Sequence, residues 1–300
     1  MNILIIGDIV GEPGRQALRK VIPILRQRED IDFVIANGEN AAGGSGITPQ
    51  VLNEILNAGV DVVTSGDHIF KKREILDVIS FQDRLLRPAN YPQGVAGHGY
   101  TVLTAKNNKK IGVINLCGRV FMEPLDCPFR CAMELVKKIK QETELIIVDM
   151  HAEATSEKMA MGWYLNGQVS AVVGTHTHVQ TADERILPLQ PEGHGLESVY
   201  EWPSGRIPPH GQEKRNVPGV ARGASPDAAY TAYITDIGMT GAVDSVIGRK
   251  TEQVLVRFLT HTPTRFEVAD KNVQVQGVIL AVDENTGQAI SIRRIQEKSD

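Results

Sequence analysis

Five short apolar, β-branched runs in the first two thirds of the chain each end at side chains that can bind a cation. Asn2–Ile6 leads to Asp8, residues 32–36 to Glu39 and Asn40, and residues 60–64 to Asp67 and His68. Residues 145–148 lead to His151, and residues 171–173 to His176 and His178. Apolar runs of this length suit strands buried on both faces. Residues 110–116 add a further strand, and helical patterns fill the gaps. One helix is expected from Pro13 to about residue 27, with Pro23 as a possible kink, and another from Thr48-Pro49 to near Gly59. This alternation predicts an α/β protein with helices on the faces of its sheet. Ligands of open α/β sheets gather outside the carboxyl ends of the strands, so the five endings are expected to converge.

The last third changes character. Residues 185–187, 230–235, 264–268, 273–282 and 290–294 read as strands, with a turn at 283–287 and one helix over about 244–258. Two packed sheets in a single domain, 1–300, are expected. A proline- and glycine-rich segment at about 189–229 follows neither period and reads as a long loop insertion. It is either a surface excursion at a hairpin tip or a lid over the site.

Charge and composition exclude several classes. The net charge is −4 with no basic run, so electrostatic binding of long nucleic acid is not expected. A small anionic substrate remains compatible, because bound cations reverse the local charge. No apolar run approaches a membrane span, and the opening stretch is too short for a signal segment. Cys117, Cys127 and Cys131 are an odd, sparse set, read as reduced thiols of a cytoplasmic protein.

The donors at the strand ends are carboxylate oxygens, an amide and imidazoles, a mixture that suits Mn, Fe, Zn or Ni better than Ca. His176 and His178 could serve one cation each, with Glu39 the candidate bridge of a two-metal site. His98, His194, His210 and His261 read as ordinary surface or core histidines. The run from Gly7 to Gly14 lacks phosphate-loop spacing, and no G-x-S-x-G elbow is present.

Taken together, Gly7-Asp8-Ile9-Val10-Gly11, Asn37-Gly38-Glu39-Asn40-Ala41-Ala42-Gly43-Gly44, Gly66-Asp67-His68, Asp149-Met150-His151-Ala152-Glu153 and Gly174-Thr175-His176-Thr177-His178-Val179-Gln180-Thr181 resemble the bacterial YmdB-like metallophosphoesterases of the calcineurin-like superfamily. Thr235-Asp236-Ile237-Gly238-Met239-Thr240-Gly241 is similar to another signature of that family. The resemblance covers nearly the whole chain. It implies a four-layer αββα sandwich, two bound transition metal ions (iron or manganese), a homo-oligomer, and 2′,3′-cyclic-nucleotide 2′-phosphodiesterase activity giving the nucleoside 3′-phosphate. Carried over by position, it implies that Asp8, Asn40 and His178 hold one metal, and Asp67, His151 and His176 the other. Glu39 would bridge them, and His68 would be the acid near the leaving oxygen. A hydroxide bridging the ions would attack phosphorus in line with the 2′-oxygen. His151 and His176 are expected to be oriented through their other ring nitrogens, with Asp149 and Glu153 the possible partners.

Two departures stand out. Asp67 occupies a position where the family usually has asparagine, which adds a charge to its metal. The 189–229 segment is longer than the usual family turn. The same centre could also serve phosphomonoesters or phosphoproteins, and a mainly regulatory scaffold is the alternative of a different class.

Overall fold

The computed structural model describes residues 1–188 and 229–299. Two mixed sheets form its middle. The first contains β1 (Asn2–Ile6), β2 (Asp8–Ile9), β3 (Ile31–Asn37), β4 (Val62–Thr64), β11 (Met239–Ala242), β12 (Val273–Val282) and β13 (Ala289–Lys298). Its order is β2-β11-β12-β1-β3-β4, with β13 paired to β12. The second contains β5 (Tyr100–Thr104), β6 (Lys110–Cys117), β7 (Ile146–His151), β8 (Ala171–Thr175), β9 (Arg185–Pro188) and β10 (Ala229–Ile234), in the order β5-β6-β7-β8-β10-β9. Strands β1, β3 and β4 run parallel, as do β6, β7 and β8. Their carboxyl ends therefore open in register within each sheet.

Period-two alternation explains the layering. On β1, Leu4 and Ile6 pack with Leu18, Ile22 and Leu25 of α1 (Gly11–Arg28) and with Leu52 and Ile55 of α2 (Pro49–Asn57). Ile3 and Ile5 turn the other way, into a core shared with Phe33, Val113, Ile147, Val173, Ile234 and Val278 between the sheets. On β7, Ile146, Val148 and Met150 face a third core with Ala132, Val136 and Ile139 of α3 (Pro128–Ile139) and Met161 of α4 (Thr155–Tyr164). Three cores separate four layers, helix, sheet, sheet and helix, as expected.

Local signals account for most boundaries. Thr48 caps α2 by accepting from the Val51 N–H at 3.3 Å, and Pro49 occupies the first turn. Helix α1 starts at Gly11, ahead of Pro13, and continues across Pro23. Two expectations in the last third are corrected. Residues 264–268 form no strand; Val268 makes a single bridge to Arg249. Residues 244–250 are turns, not the start of a helix. Ile247 and Gly248 take φ of 45° and 87°, and the Ser245 hydroxyl donates to the Ala242 carbonyl while accepting from the Gly248 N–H. Left-handed residues cannot propagate a right-handed helix, so α5 begins only at Thr251 and ends at Thr260. Among the described residues, no helix is long and apolar enough to cross a membrane. Of the segment 189–229, all but its last residue lies outside the described residues. So do His194 and His210.

Candidate metal centre

The strand ends converge. His151 is the last residue of β7, Glu39 and Asn40 lie just beyond β3, Asp67 and His68 beyond β4, and His176 and His178 beyond β8. Asp8 sits in β2, paired with Met239. Glu39, Asp67, His151 and His176 each offer a ligand atom, and these atoms all lie within 4.8 Å of one another. His151 Nε2 contacts Glu39 Oε2 and lies 3.4 Å from Asp67 Oδ1. His176 Nδ1 is 3.0 Å from His151 Nε2 and 3.8 Å from Asp67 Oδ1. On the other side of Glu39, His178 Nε2 lies 3.6 Å from Asp8 Oδ1 and 3.1 Å from Asn40 Nδ2.

This donor set fits a cation. Asp8 Oδ1, Glu39 Oε2 and Asp67 Oδ1 are buried, and none has a hydrogen-bond partner. Buried polar atoms are normally paired, and three unpaired carboxylate oxygens beside imidazole nitrogens are what a metal would satisfy. Gly66 lines the same space. A Cβ there would overlap Glu39 Oε2 and His151 Nε2, so a side chain at 66 would fill the cluster.

Each imidazole is oriented from outside. His151 Nδ1 is 2.9 Å from Thr175 Oγ1, whose hydroxyl donates to Asp149 Oδ1 at 2.7 Å. The hydroxyl therefore accepts from Nδ1–H, and Nε2 is turned inward. Asp149 is itself held by the Thr64 hydroxyl at 2.5 Å and by Asn37 Nδ2 at 3.3 Å. His176 places Nε2 3.2 Å from Glu153 Oε2, and His178 directs Nδ1 at the Ile247 carbonyl, 3.2 Å away. Asp149 and Glu153 thus both serve, Asp149 through a hydroxyl. Thr175 and Ile247 were missed. A threonine relay and a carbonyl from a distant turn carry no sequence mark, since any residue supplies a carbonyl.

His68 differs from the other three. Its Nδ1 lies 2.8 Å from Glu39 Oε1 and 3.0 Å from Asn40 Oδ1, and its side chain is 31% exposed. Asn40 points its nitrogen toward His178, so binding a cation there through Oδ1 requires a half-turn of the amide. His98 and His261 lie elsewhere: His98 Nε2 meets the Ser80 carbonyl, and His261 caps α5.

The electrostatics follow from crowding charge in a dry place. Burial pushes the Asp8 carboxyl well above the carboxylate range, with His151 opposing. Burial also opposes ionisation of Glu39, but the neighbouring His151 and His68 hold it below that range. Asp67 is likewise held low against burial by His151. Burial disfavours charge on His151, yet Glu39, Asp67 and Asp8 raise it well above the imidazole range. Burial and the nearby His151 push His176 down to about 4, and burial lowers His178. The hydrogen bond to Glu39 raises His68. A cation entering the cluster would displace a proton from His151, so uptake is coupled to proton release.

A four-layer sandwich with oxygen and nitrogen donors gathered at its strand ends has the architecture of a calcineurin-like metallophosphoesterase. A profile of YmdB-like proteins matches residues 4–192 and 228–295, and the chain belongs to that family. It is 42% identical over 300 residues to the 2′,3′-cyclic-nucleotide 2′-phosphodiesterase of Bacillus subtilis strain 168, covering 100% of this chain and 98% of that protein. Among solved structures, a hypothetical protein of Thermus thermophilus superposes with a TM-score of 0.80 at 34% identity, covering 99% of both chains. A protein of Mycoplasma pneumoniae described as a novel phosphatase gives 0.79 at 31% identity, covering 99% of this chain and 93% of that one.

Proposed function

We propose that this protein is a metal-dependent phosphodiesterase that opens 2′,3′-cyclic nucleotides at the 2′-oxygen and leaves the nucleoside 3′-phosphate. The observation that carries the reading is the cluster of Glu39, Asp67, His151 and His176, with carboxylate oxygens that no hydrogen bond satisfies. Asp67, His151 and His176 would hold one ion, and Asp8, Asn40 and His178 a second, with Glu39 between them. Iron and manganese suit this donor set, and both tolerate mixed oxygen and nitrogen ligands. When bound, such ions supply Lewis acidity to a phosphate ester and make hydroxide available near neutral pH.

The residues of the chain do the rest. Thr175, Glu153 and the Ile247 carbonyl fix the three imidazoles, so the site is organised before substrate arrives. His68 stands beside the cluster, 31% exposed, with its Nδ1 2.8 Å from Glu39 Oε1. It donates a proton from Nε2 to the leaving 2′-oxygen, since Nδ1 is engaged by Glu39 and Asn40. Relatedness to the Bacillus subtilis enzyme over the whole chain supports the substrate class.

The test is a hydrolysis panel of 2′,3′-cyclic AMP, an aryl phosphate monoester and a phosphopeptide, with metal content measured on the same sample. Turnover of the cyclic nucleotide, with the phosphate left on the 3′-oxygen, is expected. Preference for the monoester or the phosphopeptide would overturn the substrate assignment.

A further inference from the structure

Thr235-Asp236-Ile237-Gly238, between β10 and β11, lies against the back of the turn that carries His176 and His178. Asp236 and Lys158 are both fully buried, 0% and 1% exposed, and their charged atoms meet at 2.9 Å. Lys158 comes from α4 on the outer layer. It reaches this point because residue 174 is glycine: a Cβ there would lie 2.8 Å from Lys158 Cδ and would overlap the Thr235 carbonyl oxygen.

The pair does not end on itself. Asp236 Oδ2 also accepts from the Thr177 N–H at 3.2 Å and from the Thr177 hydroxyl at 2.6 Å. Lys158 Nζ in turn donates to that hydroxyl at 3.3 Å. Asp236 Oδ1 accepts from the Gly238 N–H at 2.8 Å, which fixes the carboxylate plane. Thr177 is thus gripped at backbone and side chain by one carboxylate. It is the residue between the two histidines, and both histidines are left-handed, with φ of 95° and 64°. Non-glycine residues adopt this region only where the surroundings over-determine it.

We propose that the buried Lys158–Asp236 pair is the positioning device of the metal centre, holding His176 and His178 through Thr177 so that one imidazole faces each cation. The inference rests on the metal-centre reading above. A buried ion pair is seldom more stabilising than apolar residues of the same volume, so burial alone does not explain it. An apolar replacement would also leave the Thr177 N–H and hydroxyl without an acceptor. The pair suits a task that packing cannot do, which is to keep a strained histidine–threonine–histidine turn in one conformation.

The experiment uses Mn²⁺ titration calorimetry and thermal melts on the full-length protein stripped of metal. Thr177→Val removes the hydroxyl and keeps both charges; Thr177→Ser restores the hydroxyl. Thr177→Val is expected to weaken Mn²⁺ binding by roughly 10–100-fold, the range seen when groups that orient ligands are removed. Its metal-free melting temperature should stay close to wild type, and Thr177→Ser should bind nearly as wild type does. Lys158→Met combined with Asp236→Asn, which removes both charges and keeps an acceptor for Thr177, should weaken binding in the same direction. A purely structural role would lower the melting temperature and leave affinity unchanged. Wild-type Mn²⁺ affinity in Thr177→Val overturns the proposal alone; a wild-type protein that takes up no Mn²⁺ overturns the metal-centre reading with it.

Discussion

Replacing His68 with asparagine separates its two roles. His68 Nδ1 lies 2.8 Å from Glu39 Oε1, so the ring tethers the central carboxylate as well as standing at the mouth of the site. Alanine would remove both functions at once. The Nδ2 of asparagine takes the place of the imidazole Nδ1, so His68→Asn keeps a donor for Glu39 but has no proton to give at the ε position. Loss of a general acid costs roughly 10²–10⁴ in turnover, or about 3–5 kcal/mol of barrier. The expected result is a kcat lower by that factor with metal content unchanged, while His68→Ala loses turnover and binds metal more weakly. The pH profile gives an independent readout. A general acid acts only while protonated, so the contribution of His68 is lost as pH rises through the value at which its ring loses that proton. Wild-type kcat should therefore fall on the alkaline side, and that fall should be absent in His68→Asn. Measuring kcat with 2′,3′-cyclic AMP from mildly acidic to alkaline pH, beside metal analysis, decides it. Wild-type turnover in His68→Asn, or an unchanged alkaline limb, would refute the assignment.

Three further outcomes follow from the same geometry. Asp67→Asn removes a charge from an oxygen that no hydrogen bond satisfies, so it should keep the cluster's capacity for metal but change which metal best supports turnover; an unchanged Mn²⁺/Fe²⁺ preference and rate would refute the argument that the extra charge tunes the site. Phe33→Ala opens the core between the sheets, where Phe33 is 2% exposed, and should cost about 3–5 kcal/mol in denaturant unfolding; a loss under about 1 kcal/mol would mean the sheets are not packed through it. Burial opposes the Asp183 carboxylate, but Thr181 and Thr235 hold it below its ordinary range, so its contribution to stability is full above its unfolded value of about 3.9 and is lost as pH falls through the folded one. Asp183→Asn should accordingly melt lower than wild type near neutral pH, with the gap shrinking as the pH falls below about 4, and a gap independent of pH would contradict the linkage.

The parallel strands were legible because continuous apolar runs and strand-end ligands are both local signals. Asp8, Glu39, Asn40, Asp67, His68, His151, His176 and His178 all meet in one place, as the strand-end argument requires. What stayed hidden depends on partners far away in the chain. Strand β11 is four residues long and exists by pairing with β2 and β12. The helix expected from about residue 244 starts only at Thr251, because the turn through Ile247 and Gly248 that supplies a carbonyl to His178 interrupts it. Lys158 is buried only because Gly174 and Asp236 admit it. Lysine is almost never fully buried without a partner, and that partner is 78 residues away.

The most direct test is a crystal structure of the protein grown with Mn²⁺, with anomalous scattering collected at the manganese edge. Two peaks about 3.5–4 Å apart are predicted. One should lie among Asp67, His151 and His176, the other among Asp8, Asn40 and His178, and Glu39 should touch both. A single peak, or manganese bound away from Glu39, would contradict the two-metal account.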